Sequence, residues 1–219
     1  LQTGSLVDFK SFHELLESYE KQAKYWCDLA ISSTDVVDLN HQKIKPLPFL
    51  SLLVDGCIEK GLDVSAGGAV YNHSGPQANG LATVVDSLAA IKQLVFDEKK
   101  VSPQDYLKAL KANWKDYEAL HALVNSDKVH HYGNDDDYAD DIAIWIYNCY
   151  CEIIEGRINP RGGTYIPGVY SVTSNVAFGM MQGATPDGRN SGQPLSDNLG
   201  PVHTDRGAHD IYGPTAVAK

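Results

Sequence analysis

The spacing of apolar residues near the N-terminus constrains this chain most. From Phe9, the residues Phe12, Leu16, Tyr19, Ala23, Trp26 and Ala30 follow at alternating steps of three and four. That period lines one stripe of an α-helix and does not fit a strand, whose faces alternate at every second residue. It predicts a helix over 9–31. Val84, Leu88, Ile91 and Val95 make a similar stripe, as do Ile142, Ile146, Cys149 and Ile153 ahead of a stop at Gly156. "VSPQDYLKALKANW" carries a start signal: Ser102 as N-cap, Pro103 at the first helical position and Asp105 in the first turn. A further helix is expected after Pro46 and Pro48, running to Lys60 with Gly61 as its stop. Residues 1–157 therefore read as mainly helical.

The texture changes after Asn159. "TYIPGVYSVTSNVAFGMMQGATPDGRNSG" is rich in β-branched residues and punctuated by glycine, so 158–219 reads as strand- and turn-rich. In "VYSVTSNVAF" one face of a strand would hold Tyr170, Val172, Ser174, Val176 and Phe178. The other would hold Val169, Ser171, Thr173, Asn175 and Ala177. An apolar face backed by a small, hydroxyl-rich one suits a strand with helices outside and a polar cavity inside. "TPDGR" reads as a turn, with Pro186 presetting φ and Gly188 tolerating positive φ. The closing "YGPTAVAK" is apolar and has the look of an interrupted chain.

Composition narrows the function classes. The 219 residues suffice for a sizeable core, and the formal net charge is −10, from 28 acidic and 18 basic residues. That sign argues against nucleic acid as a partner. No apolar run approaches the ~20 residues of a membrane span, and no signal peptide is visible. Four cysteines without a CxxC pair fit a reduced, cytoplasmic setting, with Cys27, Cys57 and Cys149 read as core residues.

Several motifs fail as chemistry. "NDDDYADD" does not match a calcium loop, because the sixth residue from Asp135 is Asp140 and the twelfth is Ile146. It reads instead as an acidic first helical turn that complements the macrodipole. His130 and His131 are adjacent, so they point apart, and no third metal ligand stands at a usual spacing. The glycine-rich "SAGGAVYNHSGPQANG" lacks GKS or GKT, and there is no G-x-S-x-G elbow. "GCIEKG" poses a sharper choice: Cys57 beside Glu59 is either a thiol with an acid–base partner or one turn of an ordinary helix.

Five strings in order resemble a glycyl radical enzyme of the pyruvate formate-lyase superfamily. They are "PLPFLSLLVDGCIEKGLDVSAGGAVYNHSGPQ", "GLATVVDSLAAIKQLVFDEKK", "YGNDDDYADDIA", "GATPDGRNSGQPLSDNLGPVH" and "YGPTAVAK". The likeness is closest to the branch of glycerol, propanediol and hydroxyproline dehydratases and choline trimethylamine-lyase. The resemblance implies an α/β fold, with this chain supplying a mostly helical segment and part of a ten-stranded barrel wall. It implies elimination of water or amine from a small polyol or amino alcohol; acyl transfer of the pyruvate formate-lyase type is the alternative, and a non-catalytic helical scaffold the rival from another class. It implies a protein glycyl radical installed by an activating enzyme that uses S-adenosylmethionine and an iron–sulfur cluster.

The family's Gly-Cys-Val-Glu loop and its Arg-Val-Ala-Gly-Tyr type loop have no match here, so no catalytic residue is expected on this chain and no activity from it alone. The "GCIEKG" string resembles a different, helical family segment, which implies a packing role for Cys57. "GVYSVTSN" resembles a pocket-bordering strand. Tyr170 is therefore the first candidate for substrate contact, with core packing beside Val172 and Val176 the equal alternative, and Ser171 and Thr173 are weaker candidates. No cofactor or metal is expected on the chain itself. Partners are expected to be a small-molecule substrate, the activating enzyme and further copies of the chain, in the cytoplasm.

Overall fold

The computed structural model describes residues 1–197, 199–204 and 207–219, with Thr204 described by its backbone alone. In chain order the helices are α1 (Phe12–Ile44), α2 (Pro48–Ser51), α3 (Cys57–Lys60), α4 (Leu81–Ile91), α5 (Pro103–Lys111), α6 (Glu118–Val124), α7 (Asp137–Ile154), α8 (Ser174–Met181) and α9 (Pro214–Val217). A 3₁₀ turn covers Val64–Ala66, and a π turn, Lys92–Asp97, continues α4. Strands β1 (His203–Thr204) and β2 (Gly207–Ala208) pair antiparallel, with His203 opposite Ala208. Among the described residues these are the only paired strands, apart from isolated bridges at Ser74–Tyr165 and Ile158–Thr164.

The chain divides into two compact units. The first gathers 20–76 and 150–168. There the 157–165 segment is tied along α1 at Asp28, Asp35 and Asp38, positions that fall on one helical face. Arg157 Nη2 donates to Asp28 Oδ1 at 2.5 Å, Tyr165 Oη to Asp35 Oδ1 at 2.6 Å, and Arg161 Nε lies 3.1 Å from Asp38 Oδ2. The expected helix to Lys60 is two short ones, α2 and α3, separated by a turn in which Gly56 sits at φ 95°. Gly61 ends α3 in the left-handed conformation, as its position after Lys60 suggested. Asp63 caps the following 3₁₀ turn and gathers four hydrogen bonds, from the Leu47 and Ser65 amides and the Ser51 and Ser65 hydroxyls, at 2.6–2.9 Å. The Ser65 hydroxyl leads in holding its carboxyl at about 2.

The second unit, 2–19, 77–149 and 169–219, carries the main core. Its centre is α4, where every residue but Val84 is buried. One side meets Ala139, Ile142, Ala143 and Ile146 of α7. The continuation of α4 through Leu94 and Val95 meets Tyr106, Ala109, Trp114 and Val124. Ser102 caps α5 as expected, its Oγ accepting from the Asp105 amide at 3.1 Å. In the π turn, Glu98 N donates to Gln93 O at 2.8 Å, a step of five residues. Buried Gln93 then grips the next loop: its Nε2 donates to Lys128 O at 2.9 Å and its Oε1 accepts from His130 N at 3.1 Å.

Three expectations change. The first helix runs to Ile44, well past residue 31. Cys57 is buried as expected, whereas Cys27 and Cys149 are only half-buried. The strand expected over Val169–Phe178 does not form. Its second half is α8, entered through a turn at Ser171–Ser174. Asn175 and Gly179, four residues apart on one face of α8, are buried there. At Gly179 a Cβ would stand 2.2 Å from Gln193 O, a backbone approach that only glycine permits.

Candidate functional site

The three residues proposed to contact substrate fall in the loop that leads into α8. Tyr170 is exposed, at 57 %, and its backbone amide donates to Gln77 Oε1 at 3.0 Å. Ser171 is buried, and its hydroxyl donates to Asp197 Oδ1. Thr173 is exposed, and its hydroxyl donates to Val172 O at 2.5 Å. Ser174 N closes the turn onto Ser171 O at 2.8 Å, with φ 48° at Val172 and 65° at Thr173. Positive φ at both central residues is the geometry of a type I′ turn, which ordinarily selects Gly, Asn or Asp. The two-face division of a strand dissolves with this turn: Tyr170 and Thr173 reach solvent, while Ser171 anchors the loop inward.

Behind α8 lies the "TPDGR" turn, formed as expected, with Gly188 at φ 90° and its amide donating to Thr185 O at 3.1 Å. Arg189 is almost wholly buried, and its guanidinium serves the carbonyls of Gly179, Gly183, Asn190 and Gln193. Asp187 is fully buried beside it. Burial is the main force that pushes its carboxyl up to about 6, against the Thr185 hydroxyl that stabilises the charge and with the Asp86 charge adding to the rise.

A second constellation gave no signal in the chain's order. Asp86 of α4, His131 of the loop gripped by Gln93, and His209 just after β2 converge, all buried, with one ligand atom from each within 4.8 Å of the others. Asp86 Oδ1 accepts from Tyr132 N at 2.7 Å. Asp86 Oδ2 stands 2.7 Å from His209 Nδ1 and 3.4 Å from His131 Nδ1. Burial opposes ionisation of Asp86, but the two histidines beside it outweigh it and hold the carboxyl low. The separations of 45 and 78 residues explain why sequence spacing missed the set: His131 looks ligand-poor beside His130 until the fold brings the others in.

The Cys57–Glu59 question resolves as helix capping. Glu59 Oε2 accepts from Gly56 N at 3.1 Å and so closes the first turn of α3, while Cys57 is buried against Gly68.

Comparison with known proteins supplies the ancestry. A family model described as pyruvate formate lyase-like matches residues 1–179. The chain is 54 % identical over 215 residues to (2S)-3-sulfopropanediol dehydratase of Klebsiella oxytoca, covering 98 % of this chain and 26 % of that protein. Crystallographic hydroxyproline dehydratase of Clostridioides difficile, with trans-4-hydroxy-L-proline bound, superposes with a TM-score of 0.93 at 43 % identity, covering 99 % of this chain and 27 % of that one. The glycerol-bound B12-independent glycerol dehydratase of Clostridium butyricum gives 0.89 at 41 %, covering 98 % and 26 %. The chain thus spans about a quarter of the length of each of these relatives. With matched sequence over most of its length and matched backbone over nearly all of it, the chain belongs to the pyruvate formate lyase-like family.

Proposed function

We propose that this chain is part of a glycyl radical dehydratase or lyase acting on a small vicinal diol. The observation that carries the reading is the 54 % identity, across 98 % of the chain, to a dehydratase of a sulfonated propanediol. The hydroxyproline and glycerol dehydratases among its structural neighbours support the same chemistry. In such a reaction a hydrogen atom leaves a hydroxyl-bearing carbon, that carbon's hydroxyl gives up its proton while the adjacent hydroxyl gains one and departs as water, and a hydrogen atom returns. The sum is dehydration with no net oxidation. A protein radical supplies the hydrogen-atom step, and this chain has no residues matching the family's radical-carrying strings, so no radical step is assigned to it.

Its own contribution is to shape and hold. Tyr170 offers an exposed phenol for a substrate hydroxyl, while Ser171 and Thr173 are weaker contacts whose hydroxyls also fix the turn behind it. The remaining parts of the proposal are an S-adenosylmethionine-dependent iron–sulfur activating enzyme, a cytoplasmic location and a homo-oligomer, with no nucleic acid and no membrane. Among the described residues no helix is long and apolar enough to cross a membrane.

The test is anaerobic activation of the encoded enzyme that carries this segment, followed by a panel of vicinal diols. The expected product is the carbonyl compound left by loss of water. Tyr170→Phe should raise KM more than it lowers kcat and leave the circular dichroism unchanged. Coenzyme A-dependent cleavage of pyruvate, with no diol consumed, would transfer the assignment to acyl transfer. An enzyme that takes up no radical at all would favour the scaffold reading.

A further inference from the structure

The cluster of Asp86, His131 and His209 presents its rings in an arrangement that a neutral histidine pair does not satisfy. His131 Nε2 lies 3.3 Å from Ser126 O, and His209 Nε2 lies 3.5 Å from Asn125 Oδ1. The amide orientation of Asn125 is set by its Nδ2, which donates to His121 O at 2.8 Å. A carbonyl oxygen only accepts, so each Nε2 facing one carries the proton. With Nε2 of each ring on a carbonyl, Nδ1 is the nitrogen that faces Asp86 Oδ2, at 2.7 Å for His209 and 3.4 Å for His131. A carboxylate oxygen and two ring nitrogens converging in a buried place call for a positive charge, on the rings or between them.

Protons or a metal ion could provide that charge, and the geometry favours the ion. His131 Nδ1 is buried and meets no partner in hydrogen-bond geometry although it lies 3.4 Å from Asp86 Oδ2, where a pair made by a proton would draw closer. Two imidazoliums would also face each other with ring centroids 4.0 Å apart. A metal bound at the ~2.0–2.2 Å typical of nitrogen and carboxylate ligands holds tetrahedral ligands roughly 3.3–3.6 Å from one another; the 3.4 Å of His131 fits that spacing, and the 2.7 Å of His209 would open by less than an ångström. The outer partners fit as well. Each ligating ring has its other nitrogen on a carbonyl, and the second carboxylate oxygen is held by Tyr132 N at 2.7 Å. A cavity of about 210 Å³ adjoins the set, with Asn125, Ser126, His131 and His209 among its walls.

We propose that Asp86, His131 and His209 form a binding site for a divalent first-row transition metal, with Asp86 Oδ2 and the two Nδ1 atoms as ligands. Two imidazoles and one carboxylate suit zinc, iron or nickel better than calcium or magnesium, which prefer oxygen donors. The ion would staple three separate pieces of the second unit: α4, the 126–133 loop and the segment after β2. Tyr170 is not among these residues, and the proposal stands independently of the diol reading.

The test uses the purified chain, freed of metal with a chelator and titrated with Zn²⁺ by calorimetry, with retained metal counted after desalting. One Zn²⁺ per chain is expected, and affinity should fall as pH drops, since protons compete for the Nδ1 atoms. His131→Gln and His209→Gln should each lose at least the ~100-fold that even an outer partner can command. His203→Gln, at an exposed ring paired with Asp210, should lose nothing. Because replacing a ligand can also unfold the chain, Co²⁺ added to the unsubstituted protein gives a second readout, with a tetrahedral or five-coordinate ligand-field spectrum expected. Zn²⁺ binding that survives in both folded ligand variants would overturn the proposal. So would a chain that retains no Zn²⁺ and shows both rings doubly protonated at neutral pH by nitrogen-detected NMR, leaving an ion-pair cluster made with protons alone.

Discussion

Val172 has a β-branched side chain at φ 48°, where the Cβ crowds the following carbonyl, and Thr173 repeats the strain at 65°. The left-handed conformation costs an L-residue about 1–2 kcal/mol, while glycine there gives back about 0.5–1 kcal/mol in unfolded-state entropy. Val172 is exposed, so little packing is lost on substitution. Val172→Gly should therefore stabilise the chain by about 0.5–1 kcal/mol in urea unfolding, the difference of those two terms; a loss of stability would mean the turn is not strained.

At the scale of elements, the turn around Gly188 and the cap at Asp63 make separate claims. Gly188 stands at φ 90°, and a Cβ on it would meet Asn125 Nδ2 at 2.2 Å, while its carbonyl lies 2.6 Å from His121 Nε2. Gly188→Ala should cost about 1–3 kcal/mol from backbone conformation alone, measured as a lower urea midpoint at unchanged slope. Asp63 has a folded pKa of about 2, below its ordinary 3.8. A depressed carboxyl contributes stability above its unfolded pKa and loses it as pH falls through the folded one. The stability difference between the natural chain and Asp63→Asn should hold steady above about pH 5 and shrink between pH 4 and 2; a difference constant across that range would remove the cap from the account.

These elements also show what could be read beforehand. The Ser102–Pro103 start, the Gly61 stop and the apolar stripe of α7 rest on local chemistry, and they appear where the spacing put them. The strand over Val169–Phe178 rested on alternation as well, but the 193–197 segment competes for the same residues. Leu195 N donates to Asn175 O and Asn175 Nδ2 to Leu195 O, both at 3.1 Å, which requires a helical face of Asn175 and Gly179. Such a contact between segments 20 residues apart leaves no periodic trace. The convergence of Asp86, His131 and His209 is likewise a product of packing, set by where α4 and the Gln93-held loop meet.

Across the whole molecule, large apolar side chains stand in solvent: Phe49, Leu53 and Ile58 in the first unit, and Val172, Met180 and Met181 in the second. Patches of this kind mark contact surfaces or aggregation liabilities. The net charge of −10 opposes association, but only across about a Debye length, ~8 Å at physiological salt. The chain by itself should therefore self-associate and bind an apolar-sensing dye. Sedimentation equilibrium that shows a clean monomer at high concentration, with no dye response, would mean that each unit is self-sufficient. The π turn that ends α4 carries a different consequence, one for length rather than composition. It houses one residue more than an α-turn, so it works as a shim. Deleting one residue from 92–97 would let the helix revert to ordinary winding with its flanks nearly in phase, so the bulged turn itself would be lost. Gln93, which bonds Lys128 and His130, sits inside that turn. In this stretch, residue count should prove less negotiable than residue identity.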